Sequence, residues 1–282
     1  MNFSRDRRTT EIWRAIAKIG LDVWICMLLQ ARELVAAKSA ANTNDSPLTT
    51  AQVVRRMVET NHRRTEALRT YSSVRTYHLE LHGMLHLKAE MKVRMNYQWP
   101  GKKDFTILSQ SGSAFMRKHV LKRLIKAENE ASGRTEHQQA AITPRNYNFK
   151  LDGIQNCDQD QCYVLKAVPK KKRKFLFNGR IWVNTQNFAI MRIEGQPATT
   201  LSWWTTKVNF VYRYKKVGEF WLPALNRTVT HVRIFGRSFL TIKYQDYDLV
   251  KVLDINPSAP VKLLSSDHTH DGTLAPPSPA SE

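Results

Sequence analysis

Residues 87–97 read LKAEMKVRMNY. Leu87, Ala89, Met91, Val93, Met95 and Tyr97 alternate with Lys88, Glu90, Lys92, Arg94 and Asn96. Successive side chains of a strand point to opposite faces, so this period of two collects the apolar residues on one side and the polar ones on the other. A half-dry strand of this kind needs something packed against its apolar face.

The surrounding sequence supplies more strands. YSSVRTYHLELHG (71–83) precedes it as a weaker one, Pro100-Gly101 makes a turn, and DFTILSQ (104–110) follows. From Asn146 to Val250 the chain is almost all strand and turn. NYNFKLDGI (146–154) and CYVLKAV (162–168) flank the loop QNCDQDQ. KFLFNGRIWV (174–183) and FAIMRIEG (188–195) flank Asn184-Thr185-Gln186-Asn187. In KVNFVYRY, Val208, Phe210, Tyr212 and Tyr214 alternate with Lys207, Asn209, Val211 and Arg213. EFWLPALNRTVTHVRIF (219–235) and SFLTIKYQDYDLV (238–250) complete the series, the last placing Leu240, Ile242 and Tyr244 on one face. Roughly ten strands joined by short turns predict an antiparallel meander, closed or half closed into a barrel.

Two segments break the period. Residues 49–71 begin with Thr49 and Thr50 as caps and place Val53, Val54, Met57, Val58 and Leu68 on one stripe, the spacing of an amphipathic helix. Residues 113–131 do the same with Met116, Val120, Leu124 and Ala127, flanked by Leu121 and Ile125, and Gly133 marks the stop. Two helices of this length cover a barrel mouth without filling the interior, so large side chains or a ligand must do so. Met91, Met95 and Met191 are adaptable lining for such a space.

The chain has 282 residues and a formal charge of +20, which favours anionic partners: nucleic acid, anionic lipid headgroups or acidic glycans. Residues 1–40 are basic, then apolar, then rich in small residues, the order of an export signal, although Lys18 and Asp22 interrupt the apolar part. An amphipathic helix is the other reading. Residues 41–48 read as a polar linker. Residues 255–282, rich in Pro, Ser and Ala, read as a disordered tail. The run PKKKRKFLF (169–177) has the composition of a nuclear address, but it falls between two strands, at a hairpin tip. There Lys170, Lys171, Lys172 and Arg173 are either a solvated turn or an anionic contact.

Catalytic signatures are missing: no nucleophile elbow, phosphate loop or dinucleotide fingerprint. The chain therefore reads as non-enzymatic and without a cofactor. His78, His82 and His86 are spaced by four, which suits a metal on a helix, but on a straight strand four residues span ~13 Å. They read as strand and turn histidines, with no metal. Cys157 and Cys162 bracket DQDQ and are a disulfide candidate in an oxidising compartment. Trp203-Trp204 and Trp221 lie among cations, where packing, membrane contact and nucleic-acid stacking compete; the inward alternation of the aromatics disfavours nucleic acid.

Taken together, NYNFKLDG, CYVLKAVPKKKRKFLFNGRIWVNTQNFAIMRIEGQPA and WWTTKVNFVYRYKKVGEFWLPALNRTVTHVRIFGRSFLTIKY resemble the bacterial outer membrane lipoprotein-sorting proteins of the LolA/LolB-like superfamily. The resemblance covers residues ~48 to ~250 and is strongest from Asn146 to Tyr247. It implies a mainly β (α+β) fold: a strongly curved, incompletely closed antiparallel β-barrel with a helical lid. Its apolar cavity would take lipoprotein acyl chains or lipid in the periplasm or envelope of a Gram-negative-type bacterium. The expected wall comprises Met91, Val93, Met95, Phe210, Tyr212, Tyr214, Leu240, Ile242 and Tyr244. Val54, Met57 and Val58 would face it from the lid, and the basic turn would touch a membrane surface. Relatives that sense envelope status suggest the alternative role, an interaction module that reports lipid or lipoprotein status to a partner. Oligomeric state is not legible in the sequence.

Overall fold

The computed structural model describes residues 48–83, 86–99, 101–130, 140–173, 175–199, 205–233 and 236–249. The expectations for residues 1–40 and 255–282 and for Trp203-Trp204 lie outside them.

The first helix, α1, spans Thr50–Ala67. A capping box starts it: the Thr49 N–H donates to Gln52 Oε1 at 2.8 Å, and the Gln52 N–H donates to Thr49 Oγ1 at 3.3 Å. Three strands follow: β1 (Thr70–His82), β2 (Leu87–Gln98) and β3 (Lys102–Gly112). In β2, Ala89, Met91, Val93 and Met95 of the six alternating apolar residues are buried, and Leu87 and Tyr97 near its ends are half-buried.

The second helix, α2, runs as α-helix Ala114–Met116, one π-turn Arg117–Leu121, and α-helix Lys122–Glu130. Ser113 Oγ accepts from the Met116 N–H at its start. Seven strands then form a meander: β4 (Tyr147–Cys157), β5 (Asp160–Pro169), β6 (Phe177–Asn184), β7 (Ile190–Pro197), β8 (Thr205–Val217), β9 (Phe220–Val232) and β10 (Gly236–Leu249).

Among the described residues, all ten strands belong to one antiparallel sheet, in the order β3-β2-β1-β10-β9-β8-β7-β6-β5-β4. β1 pairs with β10, so the N-terminal strands extend the far side of the meander. β3 and β4 are the edges and do not pair, which leaves the sheet open. One core joins Met91 and Val93 of β2 to Leu165, Ile181 and Ile193 on the distant strands, so the sheet curls around a shared interior. Register breaks at Ser72/Val74, Lys92/Val93, Leu151/Gly153 and Trp182/Val183 add bends of the kind bulges supply. The expected architecture, an incompletely closed antiparallel barrel with helices on its open side, is the one observed.

Boundaries differ where side chains override the apolar run. β6 starts at Phe177 rather than Lys174, because Leu176 turns back to donate its N–H to the Arg173 carbonyl at 3.3 Å. β7 starts at Ile190 rather than Phe188. The Asn184 carboxamide oxygen accepts from the Gln186 and Asn187 N–H groups at 2.9 and 3.1 Å, and Phe188 then adopts φ 57°.

Candidate functional site

The residues expected to form the wall lie on the inner face of the sheet. Met91, Val93 and Met95 of β2 are fully buried, as is Ile242 of β10. Phe210, Tyr212, Leu240 and Tyr244 are buried beside them, and Tyr214 is half-buried against the same core. Phe177 meets Phe210 edge to face at 5.7 Å, and Phe210 meets Tyr212 likewise at 5.5 Å. From α1, Val53, Val54 and Met57 enter this cluster, while Val58 is only partly buried. The helix is thus rotated so that Val53 lies deeper than Val58. From α2, Met116, Val120, Leu121 and Leu124 close the interior. These side chains pack the space between helices and sheet in this conformation.

The interior also holds charge. Arg75 projects inward from β1, where it pairs with Val93 of β2 and Tyr244 of β10. Its Nη1 lies 3.0 Å from both carboxylate oxygens of Glu128 on α2. Lys103 Nζ of β3 reaches Glu128 Oε1 at 3.2 Å. The three side chains are 2%, 1% and 5% exposed, so water does little to screen them. The rings of Tyr244 and Phe105 stack on the Arg75 guanidinium at 5.2 and 5.5 Å. Burial alone would lower the pKa of Arg75, but the Glu128 carboxylate overrides it and holds the guanidinium firmly charged. Lys103 goes the other way: burial, helped by Arg75, outweighs Glu128 and depresses the ammonium below its usual value. Burial likewise raises the phenols of Tyr71, Tyr77 and Tyr244 around the cluster.

The outer face is not uniformly wet. Cys162, Val164, Trp182 and Met191 form a second small cluster there, with Cys157 and Trp221 packed against it. Met191 therefore lines the outside rather than the interior. The cause is the bulge that pairs Val183 with Ile190 and Trp182 with Arg192, leaving Met191 as the extra residue. Cys157 and Cys162 are joined as a disulfide across the β4–β5 turn. The Arg192 guanidinium covers Trp182 at 4.7 Å, and Trp182 Nε1 donates to Gln155 Oε1 at 3.1 Å. A groove of about 470 Å³ lies over β5–β8, among Lys166, Asn178, Arg180, Glu194 and Asn209.

Lys170, Lys171, Lys172 and Arg173 are all exposed in the β5–β6 connection, a turn anchored where the Lys170 N–H donates to the Asn146 carbonyl at 2.8 Å. The histidines do not converge on a metal; among the described residues no cluster suits one. Instead His78 Nε2 and His82 Nε2 flank the Glu80 carboxylate at 3.0 and 2.8 Å. His82 and His86 face each other across the β1–β2 turn with ring centres 5.9 Å apart.

No family model matches this chain, and no curated protein does. Among solved structures it is similar to LolA superfamily and lipoprotein-sorting domains. A putative outer membrane lipoprotein-sorting protein domain from Vibrio parahaemolyticus is 10% identical, covers 72% of this chain and 94% of its own, and has a TM-score of 0.38. A LolA superfamily protein from Nitrosomonas europaea is 12% identical over 74% of this chain and 96% of its own, with a TM-score of 0.34. A DUF1329 family protein from Desulfovibrio piger is 13% identical over 72% of this chain and 94% of its own, with a TM-score of 0.39. Likeness at this level assigns no activity.

Sequence reasoning missed the Arg75–Glu128–Lys103 cluster. The signal was present in the spacing. Arg75 shares the odd positions of β1 with Tyr77, Leu79 and Leu81, all buried. Glu128 continues the four-residue spacing of Met116, Val120 and Leu124.

Proposed function

We propose that this chain is a non-enzymatic binding and carrier protein for the acyl chains of lipoproteins or lipids in the cell envelope. The observation that carries the proposal is the interior: a curled sheet, open along one side, whose concave wall is apolar and whose opening is covered by two helices. Apolar burial holds an acyl chain without specific contacts, at ~0.8 kcal/mol per methylene. Met57, Met91 and Met116 suit such a wall because their unbranched thioethers repack around chains of different shape. The sequence resemblance supplies the ligand class.

The two helices divide the work. α2 is fastened to the sheet by the buried Glu128 cluster. α1 rests on apolar packing and part-exposed hydrogen bonds: the Leu151 N–H donates to Thr50 Oγ1 at 3.2 Å, Thr60 Oγ1 to the Asn187 carbonyl at 3.1 Å, and Arg64 Nη1 to the Trp221 carbonyl at 3.0 Å. Few buried polar ties mean a lower cost of local opening. α1 is therefore the lid that swings, carrying Val53, Val54 and Met57 out so that a chain can take their place. The exposed Lys170–Arg173 turn offers the anionic headgroup contact, weakened by salt.

Titration with a fluorophore-labelled palmitoyl probe tests this reading. Saturable uptake, displaced by unlabelled palmitoyl lipid and weakened in Met57→Lys, is the expected result. A stably folded protein that takes up no probe overturns it.

A further inference from the structure

The two edges of the sheet are treated differently. Unpaired backbone along an edge strand recruits other strands, and natural proteins blunt it with charges, bulges or cover. β4 has all three. Lys150 and Asp152 are exposed on it, the register breaks between Leu151 and Gly153, and α1 packs on it, with the Leu151 N–H donating to Thr50 Oγ1. The disulfide clips its far end.

β3 also has a bulge and a packed helix, but beyond Asp104 it carries no charge, and no disulfide clips it among the described residues. Among the described residues it pairs with β2 alone. From Phe105 to Gly112 it reads FTILSQSG, with no charge and no proline. Every residue from Thr106 to Gly112 is exposed, and Ile107 and Leu108 stand 41% and 42% open to solvent on neighbouring positions. Its one irregularity is the bulge at Leu108, which the β2 pairing skips between Ile107 and Ser109. The elements beside it are cationic. β2 exposes Lys88, Lys92 and Arg94 on its outer face against the single carboxylate of Glu90, and α2, which packs on β3, exposes Lys118, Lys122 and Arg123.

We propose that β3 is a docking strand for an extended acidic polypeptide, which adds to the sheet as a further strand. Backbone hydrogen bonds along residues 106–111 would supply the attachment, and the exposed Ile107 and Leu108 would pack against apolar side chains of the guest. Specificity would come from acidic side chains of the guest against the flanking lysines and arginines. A second copy of this chain is the poorer occupant, because its formal charge of +20 repels its like. This edge takes no part in acyl binding, which uses the concave wall.

Anisotropy of a labelled Glu-Val-Thr-Val-Glu-Val-Thr-Val peptide on the full chain tests it. Three comparisons accompany it: the same peptide with proline for both threonines, the same peptide with lysine for both glutamates, and the variants Leu108→Pro and Leu108→Asp. Leu108 sits outside the β2 pairing, so proline there spares that ladder, and an unchanged denaturation midpoint confirms folding. Leu108→Asp serves should the proline variant not fold. The expected result is saturable binding of the acidic peptide, weakened at least tenfold by either variant, by proline in the peptide and by the lysine exchange. Equal binding of the proline peptide would mean charge capture without strand addition and overturns the proposal. So would absence of binding. Concentration-dependent self-association abolished by Leu108→Asp, or binding that emerges only when residues 251–282 are deleted, would assign the edge to a second copy or to the chain's own C-terminal segment and overturn it likewise.

Discussion

Arg75 Nη1 holds both carboxylate oxygens of Glu128 at 3.0 Å in the apolar interior, and thereby ties α2 to β1, the third strand of the sheet from the β3 edge. Breaking a buried pair from one side costs more than the pair is worth, because the remaining charge stays in a poor solvent. Glu128→Ala leaves two buried cations facing each other and is expected to cost ~3–5 kcal/mol in urea denaturation. Lys103→Met leaves the Arg75–Glu128 pair intact and removes the cation whose charge burial already disfavours. Its cost should be under ~1 kcal/mol, within the range for volume-conserving replacements. A larger loss in Lys103→Met than in Glu128→Ala would show that the cluster is not centred on Glu128.

Outside the sheet, hydrogen bonds from His78 and His82, with Lys88 behind them, lower Glu80 from its ordinary 4.5 to about 2. A carboxylate with a depressed folded pKa binds fewer protons folded than unfolded. Its stabilising contribution is complete above pH 4.5 and is lost as pH falls toward 2. Glu80→Gln should therefore be less stable than the parent at pH 6, with the gap closing through that acid window. Denaturation midpoints of the two proteins across the window check this, and a gap that stays constant down to pH 2 contradicts it.

Gly179 and Gly195 pair across β6 and β7. A Cβ on Gly179 would run into the Glu194 carbonyl oxygen of the neighbouring strand, and backbone cannot yield as a flexible side chain does. Gly179→Ala is expected to cost ~1–3 kcal/mol, the range for overpacking. Thermal melting measures it, and Gly153→Ala, which meets no atom within 4 Å but keeps φ at 127°, serves as the comparison for backbone strain alone.

α1 depends on its cap. Thr49→Ala removes the hydroxyl that accepts from Gln52 and should cost about 1 kcal/mol. Because the cap orders the first turn of α1, the same change should speed exchange of the α1 amides while leaving those of α2 slow. Hydrogen-exchange mass spectrometry separates the two helices, and parallel acceleration in both would contradict the division between a moving and a fixed helix.

Much of the fold is legible in local pattern. Alternation in residues 87–97 and 207–214 places Met91, Val93, Phe210 and Tyr212 on the buried face because a strand's period is fixed at two. The stripe of Val54 and Met57 places α1 for the same kind of reason. The ion cluster is legible only in part: Arg75 is in phase with Tyr77, Leu79 and Leu81, and Glu128 with Met116, Val120 and Leu124, but spacing within one element does not show that β1, β3 and α2 bring Arg75, Lys103 and Glu128 together. Met191 falls on the unexpected face because one bulge reverses the parity of the residues beyond it, and nothing in FAIMRIEG announces that bulge. The exposed edge of β3 depends on strand order, which local pattern does not carry.

The most direct test of acyl carriage is mass spectrometry of the protein purified from its native cells, first intact and then after organic extraction. The account predicts acylated cargo in stoichiometric amount, released when the protein is unfolded. An intact mass equal to that of the polypeptide alone, with no lipid in the extract, would contradict it and leave the concave wall a permanently filled core.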